Sequence, residues 1–133
     1  QGGWIPQNAL PSGFESNNDL LYSCAANFQG GVHPGKIRAS FGGCNIGYGG
    51  KEYTIREYSI LTGAGHWQPG FAGTIPRNAV QGGEEANGDP LYVCRTKYAN
   101  GLHPGKFRKA FGGCNISYGG KEYTLPTYEV LTH

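Results

Sequence analysis

Aligned without a gap at an offset of 70, residues 8–63 and 78–133 of this chain agree at 31 of 56 positions. The agreement is densest in HPGKIRASFGGCNIGYGGKEYT, His33 to Thr54, which returns as HPGKFRKAFGGCNISYGGKEYT, His103 to Thr124. A duplication constrains the fold strongly. Whatever the first copy folds into, the second folds into nearly the same thing, and an approximate two-fold axis is expected between them. The division is a first repeat over 1–63 and a second over 64–133. The unmatched GAGHWQPGFAG, residues 63–73, sits at the joint as a linker or an exchanged edge.

Each repeat reads as strands. Leu20-Leu21-Tyr22-Ser23-Cys24 and Pro90-Leu91-Tyr92-Val93-Cys94 follow the turn signals SNND and ANGD. Cys44 to Tyr48 alternates and runs into Gly49-Gly50, and Lys51 to Ile55 and Tyr58 to Leu61 are two further strands. The 24 glycines and the absence of methionine speak against helices, because glycine costs about 1 kcal/mol per helical position. Nine Tyr and six Phe supply core where large aliphatics are scarce. Three or four strands cannot bury a face alone. Two repeats packed together can, and the expected architecture is an all-β, pseudo-two-fold sandwich forming one structural unit.

The charges exclude some function classes. A net charge of +2 with mixed signs and no basic stripe lacks the footprint of a nucleic-acid binder. No run approaches the roughly 18 apolar residues of a membrane-crossing helix. The chain opens Gln1-Gly2-Gly3 with neither Met nor a signal peptide, as a processed chain does, which favours an extracellular setting.

Two motifs bear side chains with chemistry. In HPGK, Pro34-Gly35 and Pro104-Gly105 predict type II turns that present Lys36 and Lys106 at their exits. Glu15 and Glu85 stand 21 residues before those lysines, and Asp19 and Asp89 stand 17 before. A carboxylate beside an ammonium sets acceptors next to donors, which is what vicinal sugar hydroxyls need. The plain alternative is a solvated ion pair of small worth. YGGKEY, at Tyr48 and again at Tyr118, lacks the spacing and following helix of a phosphate loop. It predicts a hairpin with Lys51 and Glu52 exposed and its tyrosines packed.

His33 and His103 match across the repeats, whereas His66 and His133 have no counterparts. No metal-ligand spacing is present, so neither metal nor cofactor is expected. The four cysteines fall as one pair per repeat, Cys24 with Cys44 and Cys94 with Cys114. Three connectivities are open. In an oxidising compartment these within-repeat pairs are the natural ones, and reduced core thiols are the alternative.

The whole set of motifs resembles a known family. The run Ile75-Pro76-x-Asn78-Ala79-Val80, then Gly82-Gly83-x-Glu85-x-x-Gly88-x-Pro90-Leu91-Tyr92-Val93, His103-Pro104-Gly105-Lys106, YGGKEY and Tyr128-Glu129-Val130-Leu131 is similar to the DM9 repeat, here in tandem over essentially the whole chain. The resemblance implies an all-β fold of two intertwined repeats, dimers in some members, and mannose-binding lectins of innate immunity among its tandem proteins. It also places this repeat ahead of a pore-forming module in natterin-like toxins.

In those lectins the sugar is held by an acid in the loop before the PLY strand and by the lysine of PGK. Carried over, the sites are Glu15 with Lys36 and Glu85 with Lys106, with Asp19, His33, Asp89 and His103 beside them. The family acid is Asp, and Glu in both repeats bears on which sugar is preferred. Leu20 against Pro90 and SNND against ANGD set the two sites apart. The expected ligands are mannose-type glycans on microbial or cell surfaces, engaged by avidity. HWQPGF is the candidate homodimer interface. No chemical step is expected, since a lysine beside each acid favours the carboxylate and spoils a general acid.

Overall fold

The computed structural model describes residues 4–133; the expectation attached to Gln1-Gly2-Gly3 lies outside the described residues. The first repeat contributes β1 (Pro11–Phe14), β2 (Leu20–Phe28), β3 (Gly31–Ile37), β4 (Cys44–Tyr48), β5 (Lys51–Ile55) and β6 (Ser59–Ile60). The joint contributes β7 (His66–Phe71). The second repeat contributes β8 (Gln81–Glu84), β9 (Pro90–Tyr98), β10 (Gly101–Arg108), β11 (Gly113–Tyr118), β12 (Lys121–Leu125) and β13 (Thr127–Thr132). Among the described residues the helical content is two short 3-10 turns, at Ala39–Phe41 and Lys109–Phe111.

All pairings are antiparallel, and hydrogen bonds join the strands into one sheet. β1 pairs with β2 of its own repeat and, through Phe14 opposite Leu102, with β10 of the other. β8 does the same with β9 and, through Val32 opposite Glu84, with β3. The circuit β1-β10-β9-β8-β3-β2 therefore closes on itself, a barrel-like arrangement in which each repeat inserts a strand into the other. A second crossing pairs Lys51 with Lys121, where β5 meets β12 near the pseudo-two-fold axis. The strand pairing thus draws one closed sheet, where the sequence led us to expect two facing layers.

Two apolar clusters form, one per repeat. Cys24, Ala26, Ile37, Cys44 and Ile46 make the first, and Cys94, Phe107, Cys114, Ile116, Tyr128 and Val130 the second. Each is stapled by a disulfide, Cys24–Cys44 and Cys94–Cys114. The Cα atoms of Cys24 and Cys44 lie 6.0 Å apart although β2 and β4 both flank β3. Next-nearest strands of a flat sheet stand about 9.5 Å apart, so the sheet folds sharply around β3.

HPGK is not a turn. His33-Pro34-Gly35-Lys36 lies inside β3, and its copy lies inside β10. Pro34 sits where β3 changes its outer neighbour from β8 (at Val32) to β4 (at Lys36), an interruption of the kind that admits proline in a sheet. Gly35 is required by contact: a Cβ there would stand 2.0 Å from the Asn45 carbonyl oxygen, and at Gly105 2.1 Å from that of Asn115. The dipeptide marks a sharp fold and close approach of strands, so Lys36 and Lys106 are buried at 3% exposure instead of presented from a turn.

The YGGK hairpins form as expected. Tyr48 pairs with Lys51 across Gly49 and Gly50, whose φ angles of 60° and 88° suit the two-residue turn. The exposed glutamate is a correction. Glu52 and Glu122 turn inward across the axis, where Glu122 Oε1 accepts the Gly50 N–H at 2.8 Å and Glu52 Oε1 that of Gly120 at 3.0 Å. β7, from the joint, adds to the sheet edge along β13, and the first repeat has no equivalent strand among the described residues.

Candidate functional site

The seam between the repeats is polar. His33 and His103 are fully buried there beside Lys36 and Lys106. Strand exchange brings each lysine to the histidine of the opposite repeat: Lys36 Nζ lies 3.1 Å from His103 Nδ1, and Lys106 Nζ lies 3.1 Å from His33 Nδ1. A tyrosine from the histidine's repeat completes each cluster. Lys36 sits 5.1 Å from the centroid of the Tyr118 ring, and Lys106 sits 5.7 Å from that of Tyr48. The same rings meet His103 and His33 edge-on at 5.1 and 5.2 Å.

An ammonium can only donate, so Nδ1 accepts and the proton of the neutral imidazole resides on Nε2. Neither Nε2 has a well-formed hydrogen bond among the described residues, although the main chain of Phe28 favours the proton on His33 and that of Tyr98 favours it on His103. Burial, and then the charge of Lys36, lowers the His103 pKa to about 4. Burial and then Lys106 lower that of His33. Burial also pulls both lysines below the ordinary lysine value. Glu52 and Glu15 partly oppose this at Lys36, and Glu122 and Glu85 at Lys106.

The acids expected to face the lysines take a different direct partner. Arg38 Nε lies 3.5 Å from Glu15 Oε2, and its Nη1 donates to Asp19. Arg108 donates to Glu85 at 3.1 Å and to Asp89 at 2.6 Å. Arg108 ends β10, and Arg38 continues β3 by one residue in extended conformation, so each arginine follows its lysine by two extended residues and shares its face. The loop holding the acids is set by its own backbone: the Glu15 N–H donates to the Asp19 carbonyl at 2.9 Å, and that of Glu85 to Asp89 at 2.8 Å. Glu15 and Glu85 are thus within electrostatic reach of Lys36 and Lys106 without forming an ion pair with them.

Each site is a graded arrangement. Asp19 and Asp89 are exposed, the arginines and glutamates form a half-buried rim, and the lysine and histidine lie beneath. An open groove of about 680 Å³ adjoins the first rim, lined by Ile5, Asp19, Leu20, Tyr22, Arg38 and Ser40. Its counterpart, at Asp89, Pro90, Tyr92 and Arg108, holds about 380 Å³.

Reading the sequence for paired acids and lysines missed the two arginines, the seam tyrosines and the inward glutamates. The repeat did contain the signal, since Arg38/Arg108, Tyr48/Tyr118 and Glu52/Glu122 are identical at the 70-residue offset. Among the described residues no three His, Cys, Asp or Glu side chains converge as metal ligands would. Among the described residues no helix is long and apolar enough to cross a membrane.

Residues 1–55 and 42–125 match the DM9 repeat. Natterin-3 of Thalassophryne nattereri is 30% identical over 141 residues, covering 97% of this chain and 35% of that protein. The chain therefore spans about a third of the length of that curated relative. The nematode sperm cell motility protein MFP2B has a similar solved structure, with a TM-score of 0.73 at 19% identity over 98% of this chain and 43% of that one. That likeness concerns the fold alone.

Proposed function

Because the chain belongs to the DM9 repeat family, we propose that it is a carbohydrate-binding lectin with two sites per molecule and no chemical step. The observation that carries this reading is the twice-built cluster in which an arginine, flanked by two carboxylates and two residues past a buried lysine, lines an open groove together with the outer aspartate. Neighbouring hydroxyls of a sugar each donate and accept, and such a rim offers both partners within one residue's reach. The arginine adds a flat, forked donor to the acid-and-lysine pair.

Mannose-type glycans are the proposed ligands, on the resemblance to DM9-repeat lectins. Glu15 with Lys36 and Glu85 with Lys106 are the proposed contacts, joined by Arg38 and Arg108. Single sugar sites are weak, and two on one rigid molecule, with more in a homodimer, suit recognition of glycan-dense microbial or cell surfaces outside the cell. An innate-immune role belongs to the same proposal, on the same resemblance.

The test is a glycan array with the parent beside a Lys36→Met/Lys106→Met variant. Methionine fills the buried volume that alanine would leave empty. Binding of mannose-type glycans by the parent and loss in the variant supports the reading. Binding of a different sugar with the same loss keeps the sites and changes the preference. A parent that binds no glycan overturns it. The similarity to Natterin-3 favours a second reading, the targeting part of a toxin-type protein; there the chain binds membranes bearing the glycan, and dye leakage from such vesicles measures whether it also damages them.

A further inference from the structure

The two clusters share a plan but differ in how many of the lysine's donors the protein itself consumes. Lys106 Nζ meets His33 Nδ1 at 3.1 Å, the Gly47 carbonyl oxygen at 2.7 Å and, at 3.9 Å, Glu122 Oε2. Among the described residues Lys36 Nζ has one hydrogen-bond partner, His103 Nδ1, beside the Tyr118 ring. An ammonium has three donors, so Lys36, at 3% exposure, keeps two without a protein acceptor among the described residues.

One difference between the repeats bears directly on the Glu122 contact. Position 47 is Gly and its counterpart 117 is Ser. Glu122 lies over Gly47 so closely that a Cβ there would stand 2.8 Å from its Cγ and 2.9 Å from its Oε2. That missing Cβ is the space through which Glu122 approaches Lys106. At Ser117 the Cβ is present. Glu52, the counterpart of Glu122, directs Oε2 to Asn45 Nδ2 at 3.4 Å and makes no ion pair with Lys36.

We infer that the two sugar sites are unequal, that the Lys36 site is the stronger, and that the Gly47/Ser117 pair sets the difference. This rests on the lectin reading. A hydroxyl-bearing ligand that passes the Arg38–Glu15 rim takes up the idle donors of Lys36 without displacing a protein acceptor. At Lys106 the Gly47 carbonyl already holds a second donor and Glu122 Oε2, at 3.9 Å, faces the ammonium as a competing anion, so a ligand hydroxyl gains less there. The larger of the two grooves is lined by Asp19 and Arg38, the outer residues of the Lys36 site.

The experiment is a titration of the whole chain with methyl α-mannoside, followed by NMR on the tyrosine rings so that Tyr118 reports the Lys36 site and Tyr48 the Lys106 site. In the parent the Lys36 site is expected to saturate at about tenfold lower ligand, the worth of one hydrogen bond to a charged group. Gly47→Ser should displace Glu122 and tighten the Tyr48 response. Ser117→Gly should admit Glu52 and weaken the Tyr118 response. Lys36→Met should remove the tighter phase and leave the weaker one. Equal saturation in the parent, the reverse order, or no movement in either position-47 or position-117 variant overturns the inference while the lectin reading stands. No response at either ring at any concentration overturns both.

Discussion

Lys36 Nζ of the first repeat and His103 Nδ1 of the second lie 3.1 Å apart across 67 residues of sequence. Lys106 and His33 repeat the relation in reverse. Each half of the molecule thus depends on the other for the partner of its buried lysine. The His-Pro-Gly-Lys phrase makes both ends of this exchange, one copy giving the lysine and the other the histidine.

Acid should loosen the fold through this seam. The His103 pKa is near 4 in the folded protein against 6.5 for an ordinary histidine. Between those values the unfolded chain binds the extra proton and the folded one resists it, so stability is full above pH 6.5 and falls as pH drops toward 4. His103 alone accounts for roughly 3 kcal/mol over that window, and His33 adds in the same direction. Thermal melts at stepped pH measure it. His103→Gln, which retains an acceptor for Lys36 but does not titrate, should flatten the profile, and an unchanged profile would show that the seam is not where the protons go.

The glycines of the two motifs should differ sharply in cost. Gly35→Ala places a methyl 2.0 Å from the Asn45 carbonyl oxygen, and that backbone cannot yield without opening the fold at β3. A loss of about 3 kcal/mol is expected. Gly49→Ala meets nothing within 4 Å, and its cost is the left-handed φ of 60°, about 1–2 kcal/mol. Urea midpoints of the two variants should fall in that order.

Each disulfide closes a span of 20 residues at the centre of its own apolar cluster. Paired Cys94→Ala/Cys114→Ala replacement should cost about 3 kcal/mol. Because strands β8 and β1 are exchanged, the loss should appear as one cooperative transition of lower midpoint. Two separate transitions in calorimetry would mean that the repeats melt independently.

The rim arginine should matter to binding more than to folding. Arg38→Ala removes a partly exposed guanidinium bridging Glu15 and Asp19. Pairs at that exposure contribute about 0–1 kcal/mol to stability. Glycan binding at the Tyr118 reporter should nevertheless drop at least tenfold, the worth of a lost charged hydrogen bond. A melt shifted by many degrees with binding intact would reverse this assignment.

The duplication, the all-β class and the YGGK hairpins were legible because they rest on local chemistry: glycine-glycine turns and alternation over a few residues report over short range. The cysteines stayed open among three connectivities and a reduced state until the fold set Cys24 and Cys44 6.0 Å apart at their Cα atoms. Pro34-Gly35 misled because the same dipeptide serves a tight turn and a close crossing, and only the Asn45 carbonyl distinguishes the two. Glu52 misled because its acceptor duty is toward Gly120 of the other repeat, across the axis.

The sequence by itself determined that there are two equivalent halves and which residues in them bear chemistry. The tertiary structure decided which half completes which site. Strand exchange through β1 and β8 closes the sheet and sets Lys36 against His103 and Lys106 against His33. It also gives the two ammonium groups unequal surroundings, with Glu122 packed over Gly47 beside Lys106 and Ser at the matching position 117. The physical reason is distance along the chain. Side chains some 70 positions apart carry no periodic signal, and their meeting is fixed by how closed sheets satisfy their edges.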